Sequence, residues 1–346
     1  MEAPLEKHIY HAPYAKRHPV RRFFALLALL LALLVAFLLA AGWMICKGPS
    51  PAARDILVNT VLETSAAQFV ARIYFSPAEI EAILARNTVQ EGEEATDNTL
   101  EFEPKDQDVP LDTIELHDVN GGSFKGKMMV VYDPSRVKVA CLPGFAPEGE
   151  GLRLAELVEQ ENAVAGVNGG GLADEGGVGS GGMPLGIVIK NGKLLLGSLT
   201  GSYSIIGFDQ ENHLVVGKMT GQQAVDKGLR DAISFGPAFI INGKAAEISG
   251  TGGGLNPRTV VGQRADGAVL LLVIDGRQPQ SLGATYQDCI RVMQEWGAVN
   301  AANLDGGSST QMIYNGETVN VCASLYGPRK LPTAIVVGPA QEEGAA

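Results

Sequence analysis

The apolar and polar positions divide the chain into one long apolar run near its start and a later region of many short apolar runs. From Phe23 to Ile45 no side chain is ionised, and these 23 residues can cross a hydrocarbon layer of roughly 30 Å. A cleaved signal peptide has an apolar core of about 7–15 residues, so the length favours an uncleaved anchor. The residues that precede the run include Lys7, Lys16, Arg17, Arg21 and Arg22. This basic flank predicts a single-pass membrane protein with a cytoplasmic N-terminus and an extracytoplasmic C-terminal domain.

The segment after the anchor reads as a spacer. Ser76-Pro77-Ala78-Glu79 is typical of a capped helix start, with proline in the first turn. Residues 87–108 are acidic and poor in apolar side chains, which predicts a flexible linker. The predicted organisation is therefore a cytoplasmic tail over 1–22, an anchor over 23–45, a helical stalk and acidic linker over 46–111, and a folded domain over 112–346.

Short strands dominate the pattern of the folded domain. Asn191-Gly192 and Asn242-Gly243 each separate two apolar runs, which predicts β-hairpins. Thr285 to Asp288 has the spacing of a capping box and opens an amphipathic helix that ends near Trp296. Many strands with few helices predict the α+β class, with a mixed β-sheet.

Charge and cysteine content exclude several kinds of protein. The chain has 27 Lys and Arg against 38 Asp and Glu, for a net charge of −11, which excludes nucleic acid as a partner. The cysteines beyond the anchor are Cys141, Cys289 and Cys322, which allow at most one internal disulfide and so no disulfide scaffold. Neither their spacing nor that of the acidic residues matches a metal site, so no metal or other cofactor is predicted.

Three buried apolar runs end in a small polar side chain followed by glycine. Asn168-Gly169 follows Val167, Asp275-Gly276-Arg277 follows Ile274, and Asp305-Gly306-Gly307 follows Leu304. If the last two runs belong to one strand–helix–strand unit, their ends lie on the same edge of the sheet. Two carboxylates suit glycosyl transfer to water, and arginine is the preferred partner of phosphate. Taken singly, each of these residues fits a turn as well as a site, and it is their joint occurrence that favours a site.

Histidine offers no support for a serine hydrolase. Beyond the anchor the chain has only His117 and His213. His213 falls in a predicted hairpin turn and is expected to be exposed to solvent, while His117 is expected to be structural. Ser308 and Ser309 therefore have no evident base, which disfavours a Ser-His-Asp triad.

Several motifs occur in a fixed order along the domain. They are AVAGVNGGG, GMPLGIVIKNGKLL, SFGPAFIINGK, NPRTVVGQRADGAVLLLVIDGR and NLDGGSST. The series resembles the phosphodiester glycosidase family, related to the catalytic domain of the lysosomal uncovering enzyme, over roughly residues 114–337. Together with the predicted anchor, the resemblance implies a membrane-anchored hydrolase that cleaves a sugar-1-phosphodiester in envelope or exopolysaccharide metabolism.

The resemblance also implies a set of site residues. Asp305 and Asp275 are the implied catalytic pair, with Asp305 the first candidate for nucleophile or base. The implied substrate-binding residues are Asn168, Arg258, Thr259, Arg277, Gly306, Gly307, Ser308, Ser309 and Arg329. One departure is that Gly171-Leu172-Ala173 stands where many members carry an aromatic residue suited to sugar stacking.

Two other functions fit the same residues. A non-catalytic module that binds anionic envelope glycopolymers would use the arginines and hydroxyls without needing either carboxylate. A sporulation or cell-wall assembly factor would instead use its stalk to recruit partners.

Overall fold

The structure is a computed structural model that describes residues 19–64, 67–90, 92, 95–97, 102–103, 109–174, 179–324 and 327–340. The chain forms two compact units, residues 1–50 and 51–346, and each is described by itself. The helices are α1 (Pro19–Lys47), α2 (Pro51–Leu62), α3 (Gln68–Tyr74), α4 (Pro77–Arg86), α5 (Leu154–Gln160), α6 (Gly221–Asp226) and α7 (Tyr286–Glu295). The strands are β1 (Val89–Gln90), β2 (Ile114–Asn120), β3 (Lys125–Val131), β4 (Val137–Cys141), β5 (Ala165–Asn168), β6 (Val188–Lys190), β7 (Lys193–Leu196), β8 (Ser202–Phe208), β9 (Leu214–Thr220), β10 (Asp231–Ser234), β11 (Ala238–Ile241), β12 (Lys244–Ala245), β13 (Glu247–Ile248), β14 (Arg258–Arg264), β15 (Val269–Ile274), β16 (Ala298–Leu304), β17 (Met312–Tyr314), β18 (Glu317–Thr318) and β19 (Thr333–Val337).

Helix α1 contains the long apolar run. Among the described residues it is the one helix that is long and apolar enough to cross a membrane, and its most apolar stretch is not covered by protein. A signal sequence near the N-terminus has the same properties. The predicted cytoplasmic tail lies outside the described residues as far as residue 18.

The second unit is built from three large sheets and a short pair of strands. Their strand orders are β12-β11-β16-β14-β15-β3-β2, β7-β6-β10-β8-β9, β18-β17-β5-β19-β4 and β1-β13. This confirms the α+β class, and the paired strands of the described residues are antiparallel throughout.

A strand–helix–strand unit places two strand ends together, as the sequence predicted. Strands β15 and β16 each pair antiparallel with β14, so they run in the same direction with β14 between them. Helix α7 connects the two. In register, Arg258 lies opposite Ile274 and Thr259 lies opposite Leu304, so Asp275 and Asp305 leave the sheet at the edge where β14 begins.

The core explains why β15 is apolar at every position. Val269, Leu271 and Val273 belong to a core shared by the three large sheets. Leu270, Leu272 and Ile274 point to the other face and belong to a second core that contains the buried face of α7. Because successive strand residues face opposite sides, a strand buried on both faces cannot alternate with polar residues.

Local turn and cap predictions are confirmed. Asn191 and Gly192 have φ of 50° and 71°, and Asn242 and Gly243 have φ of 51° and 76°, as a tight hairpin turn requires. Capping boxes are present at Ser76–Glu79 and Thr285–Asp288.

Residues 51–90 pack within the second unit and are not set apart as a stalk. Asp55 of α2 is buried, and its carboxylate accepts hydrogen bonds from Arg86 and Asn87 at 2.6–2.9 Å. Strand β1 pairs with β13. The predicted flexible linker also contacts the unit, since Thr96 is buried and its N–H donates to the Val216 carbonyl at 2.9 Å. Much of the rest of that linker lies outside the described residues.

The expectation that His213 is exposed is wrong. Its side chain is 15% exposed, its Nδ1 lies 3.1 Å from Asp209, and its ring lies 4.4 Å from that of Phe102. The sequence pattern of a hairpin turn does not reveal that Phe102, from the predicted linker, packs against His213 in that turn. Cys141, Cys289 and Cys322 are free thiols.

Candidate active site

A cleft of about 1160 Å³ opens at the sheet edge where β15 and β16 end. Its wall includes three polar residues that follow those strands, Arg277, Asp305 and Ser308, together with Gly306. The strand–helix–strand connection is what brings together residues nearly thirty positions apart in the sequence, since it returns the chain to the same edge of the sheet.

Asp305 is the carboxylate at the centre of the edge. It follows β16, lines the cleft, and accepts a hydrogen bond at Oδ1 from the Gly306 N–H at 3.0 Å. Burial raises the pKa of the Asp305 carboxyl to about 6, against the opposing effects of the nearby Ser309 hydroxyl, Arg329 and the Gly306 N–H. A carboxyl that titrates near neutrality can act as nucleophile or base when ionised, or as an acid when protonated.

Asn168 holds the backbone of Asp305 in place by a hydrogen bond, without itself lining the cleft. Its Nδ2 donates to the Asp305 carbonyl at 2.6 Å, and its Oδ1 accepts from the Thr259 hydroxyl at 2.7 Å and the Gln311 N–H at 3.2 Å. Asn168 and Thr259 have no exposed surface, and neither lines the cleft. They therefore hold two sheets and the Asp305 turn together and do not themselves reach the cleft.

Arg277 is a cation of the cleft without a carboxylate partner among the described residues. Its Nη2 donates to Asn256 Oδ1 at 3.0 Å, and burial followed by repulsion from Arg258 lowers the pKa of its guanidinium. Its backbone has φ of 58°, an uncommon conformation for a residue with a side chain and one that recurs at functional sites. Gly307, with φ of 62°, lies so close that a Cβ there would meet Arg277 Nη2 at 3.2 Å. The guanidinium and the Gly307 turn thus form one side of the cleft.

Arg258 also lines the cleft, but its charge is already paired. Its Nη2 donates to Glu63 Oε2 at 2.7 Å and to the Gly254 carbonyl at 2.8 Å, and its Nε donates to the Ala284 carbonyl at 3.1 Å. The guanidinium carbon lies 4.2 Å from the centre of the Tyr286 ring. Arg258 is only 5% exposed, so a negative partner is needed to offset the loss of its hydration.

Asp275 follows β15 but does not line the cleft. Its Oδ1 accepts from Asn320 Nδ2 at 3.1 Å and from the Val321 N–H at 3.0 Å. Burial raises the pKa of the Asp275 carboxyl, and these two hydrogen bonds oppose the rise. Because Val321 and Cys322 line the cleft, the carboxylate holds the loop that forms part of its wall.

The cleft wall also contains a second ion pair and apolar side chains. Arg329 Nη2 lies 2.6 Å from Asp174 Oδ1, and both residues line the cleft. Leu185 and Phe235 line the same cleft. A Cβ on Gly171 would meet the Phe235 ring at 3.0 Å, so the glycine leaves room for an aromatic side chain supplied by the segment that follows β10.

Two buried polar atoms on the segment around Asp305, Asn303 Oδ1 and Thr310 Oγ1, have no hydrogen-bond partner among the described residues. Asn303 lines the cleft, and its Nδ2 donates to the Gly236 carbonyl at 2.9 Å. Because buried polar groups are nearly always hydrogen-bonded, Asn303 Oδ1 marks a place in the cleft where a ligand hydroxyl or a water completes the network.

The predicted residues thus divide into two sets. Those that line the cleft are Arg258, Arg277, Asp305, Gly306, Gly307, Ser308 and Arg329, while Asn168, Thr259, Asp275 and Ser309 lie behind its wall. Sequence reasoning missed Glu63, Asp174, Asn256 and Asn303. Asn256 and Asn303 stand within the quoted motifs and could have been found there, whereas Glu63 carries no local signal.

The family model described as phosphodiester glycosidase matches residues 161–338, so the chain belongs to the phosphodiester glycosidase family. A curated relative, the SPbeta prophage-derived uncharacterized protein YomE of Bacillus subtilis (strain 168), is 29% identical over 175 residues, covering 47% of this chain and 26% of its own. The N-acetylglucosamine-1-phosphodiester alpha-N-acetylglucosaminidase of Mus musculus is 26% identical over 216 residues, covering 57% of this chain and 41% of its own. The chain therefore spans less than half the length of these relatives.

A solved structure shares the fold. The zebrafish N-acetylglucosamine-1-phosphodiester alpha-N-acetylglucosaminidase catalytic domain, auto-inhibited by its pro-peptide, superposes with a TM-score of 0.56 at 20% identity. The match covers 71% of this chain and 88% of that one. At this level of identity the likeness establishes the fold of the matched part of the chain and not the chemistry.

Proposed function

We propose that this protein is a membrane-anchored hydrolase that cleaves the bond between a sugar anomeric carbon and a phosphodiester oxygen. The observation that carries the proposal is the pairing, in one cleft, of an Asp305 carboxyl of raised pKa with an Arg277 guanidinium that no described carboxylate neutralises. Family membership and the curated mouse relative support this substrate class. The apolar helix α1 supports a membrane anchor, and the basic residues before it support a cytoplasmic N-terminus. A role in envelope or exopolysaccharide metabolism is part of the proposal.

In the proposed reaction, Arg277 and the Ser308 segment receive the phosphodiester. Arginine presents parallel N–H donors that match two phosphate oxygens. The Ser308 N–H makes no hydrogen bond to another described residue, and it follows Gly307, which lies against the Arg277 guanidinium. Stabilisation of the charge that develops on the departing phosphate then contributes most of the rate, since a phosphate leaving group needs little protonation.

Asp305 acts in its ionised form, as nucleophile or as base toward water. Its turn is rigid because Asn168 holds the Asp305 carbonyl and Gly306 packs closely on Pro257, where a Cβ would meet the Pro257 carbonyl oxygen at 2.7 Å. Such fixed geometry favours attack on an anomeric carbon held at the cleft. Phe235 and Leu185 provide an apolar face for the sugar, and Asp275 positions the loop at residues 320–322.

The test uses the full-length chain in detergent with the methyl phosphodiester of α-N-acetylglucosamine-1-phosphate, and it follows release of free sugar. We expect turnover by the native protein and its loss in Asp305→Asn. Asp112→Asn, which changes an exposed carboxylate that is not part of the described cleft wall, is the matched control. Turnover that survives in Asp305→Asn would overturn the assignment of Asp305.

The non-catalytic alternative has one observation in its favour, which is that Asp275 does not reach the cleft wall. A module that only binds anionic glycopolymers needs the arginines and not a second carboxylate. Binding of an anionic glycopolymer that is unchanged in Asp305→Asn, together with no sugar release from any glycosyl phosphodiester, would favour this function.

A further inference from the structure

Glu63 brings a negative charge into the cleft from outside the region that the family model matches. It directly follows α2 and lines the cleft with a side chain that is 30% exposed. Its Oε2 accepts from Arg258 Nη2 at 2.7 Å and from Asn256 Nδ2 at 2.8 Å, and its Oε1 accepts from the Gly254 N–H at 3.1 Å. No comparison assigns it a role.

The contacts of α2 show that Glu63 is a built-in part of the cleft wall. The Thr60 hydroxyl accepts from the Leu255 N–H at 2.9 Å. A Cβ on Gly254 would meet the Thr60 nitrogen at 2.2 Å, so the two segments touch at backbone distance. Asn59 is buried and donates to the Asp55 carbonyl at 2.9 Å. A segment fastened by this many buried polar contacts holds its last carboxylate in a fixed place.

The charges of the described cleft wall are balanced in pairs. Glu63 neutralises Arg258, and Asp174 neutralises Arg329. This leaves Arg277 as the cation that is not paired and Asp305 as the ionisable carboxylate. Without Glu63 the same wall would present a second uncompensated guanidinium near the first, since Arg258 lies close enough to Arg277 to lower the pKa of its guanidinium.

We propose that Glu63 selects for phosphodiesters against phosphomonoesters, by limiting the uncompensated positive charge of the phosphate end of the cleft to that of Arg277. A phosphodiester carries one negative charge, whereas a phosphomonoester carries close to two at pH 8 because its second pKa is about 6. The additional charge of the monoester lies beside the Glu63 carboxylate and finds no unpaired cation. This inference rests on the proposed function, because it places the phosphate of a glycosyl phosphodiester at Arg277. Glu63 is a specificity residue that acts through Arg258.

The experiment compares two small ligands that differ by one charge. Full-length chain in detergent at pH 8 is titrated calorimetrically with α-N-acetylglucosamine-1-phosphate and with its methyl phosphodiester, using Asp305→Asn as background so that neither ligand is hydrolysed. In Glu63→Gln we expect the ratio of the affinity for the diester to the affinity for the monoester to fall by about tenfold, because one unit charge a few ångströms from the phosphate is removed. Glu81→Gln, an exposed glutamate on α4, should leave the preference unchanged.

A charge-restoring variant separates selection by charge from loss of structure. Glu63→Gln combined with Arg258→Gln removes both members of the ion pair, leaves no lone buried charge, and is expected to regain the preference of the parent. This result also protects the test if Glu63→Gln alone folds poorly. A purely structural role predicts that the double variant is no closer to the parent than the single variant.

Three results would overturn the proposal. The first is a ratio of diester to monoester affinity that does not change in Glu63→Gln, and the second is no binding of either ligand. The third is an equal gain in affinity for both ligands, which would mean that Glu63 simply competes with any phosphate for Arg258. Sugar release by the native chain reports on the proposed function separately. Turnover with an unchanged binding ratio leaves the proposed function standing and removes the inference. A changed ratio without turnover removes the proposed hydrolysis and leaves Glu63 only as a residue that discriminates the two ligands in binding.

Discussion

Asp275 and Asp305 occupy equivalent positions after two strands but have different surroundings in the fold. Each directly follows a buried strand, each precedes a glycine, and the two strands run in the same direction on either side of β14. Yet Asp305 lines the cleft with a pKa of about 6, while Asp275 is engaged by Asn320 and Val321 behind the wall. The difference comes from a loop far along the chain that supplies hydrogen-bond donors to one carboxylate and not to the other. Position at a strand end therefore identifies a candidate, and its partners decide its role.

The largest effect we expect is on turnover when each carboxylate is replaced by its amide. Asp305→Asn should lower kcat/KM for the glycosyl phosphodiester by about a thousandfold or more, because the amide is neither nucleophile nor base. Asp275→Asn should retain at least about a third of the activity, because its amide oxygen can still accept from Asn320 and Val321. Steady-state kinetics on both variants makes the comparison, and an equal loss in the two would return Asp275 to the chemical step.

A smaller loss of activity is expected when Arg277, the proposed phosphate-binding cation, is replaced. Arg277→Gln should lower kcat/KM by about a hundredfold through loss of charge stabilisation at the phosphate. Arg277→Lys should lose about tenfold, since lysine keeps the charge without the two parallel donors. Arg291→Gln, on the exposed face of α7, is the control and should change little. Losses below about threefold in Arg277→Gln would place the phosphate elsewhere.

The pH dependence of kcat/KM should report on Asp305 and not on Asp275. Burial raises the pKa of Asp305 to about 6, and the proposed active form is the carboxylate. Activity should therefore fall as the pH drops below about 6, approaching tenfold for each further pH unit. The pH profile of Asp275→Asn should keep the same midpoint. Activity that rises as the pH falls through 6 would make Asp305 the general acid instead.

The smallest effects are on stability, where Asp305→Asn and Asp275→Ala should act in opposite directions. A folded-state pKa near 6 against an ordinary value of about 3.9 means that the fold prefers the protonated Asp305, so stability is lost as the pH rises from about 4 to 6. At pH 8, Asp305→Asn should raise the free energy of unfolding by about 2 kcal/mol.

Asp275→Ala should instead lower the free energy of unfolding by about 2 kcal/mol, because it leaves the Val321 N–H and the Asn320 amide without their acceptor. Thermal unfolding of the two variants alongside the native chain measures both effects. Destabilisation by Asp305→Asn at pH 8 would contradict the conclusion that burial disfavours the ionised form of Asp305.

Much of the fold could be predicted because its signals are local. The Asn-Gly turns, the capping boxes at Ser76 and Thr285, and the uninterrupted apolar run of β15 follow from backbone conformation and from the period of side chains along a strand. The direction of β15 and β16 was also predictable, because a strand–helix–strand connection returns the chain to the same edge. The exposure predicted for His213 failed because Phe102, a linker residue, packs on its ring.

The residue types of the candidate site could be predicted from the sequence, but which of those residues line the cleft could not. The sequence by itself determined the long apolar helix near the N-terminus, the α+β class, the family and the carboxylate and arginine at the strand ends, since each depends on residues close together in the chain or on motifs in a fixed order. Only the tertiary structure decided that Asp305 faces the cleft and Asp275 does not, and that Arg258 is neutralised by Glu63, which stands 195 positions earlier in the sequence. Burial, pairing and pKa depend on which distant segments come into contact, and no local pattern in the chain encodes those contacts.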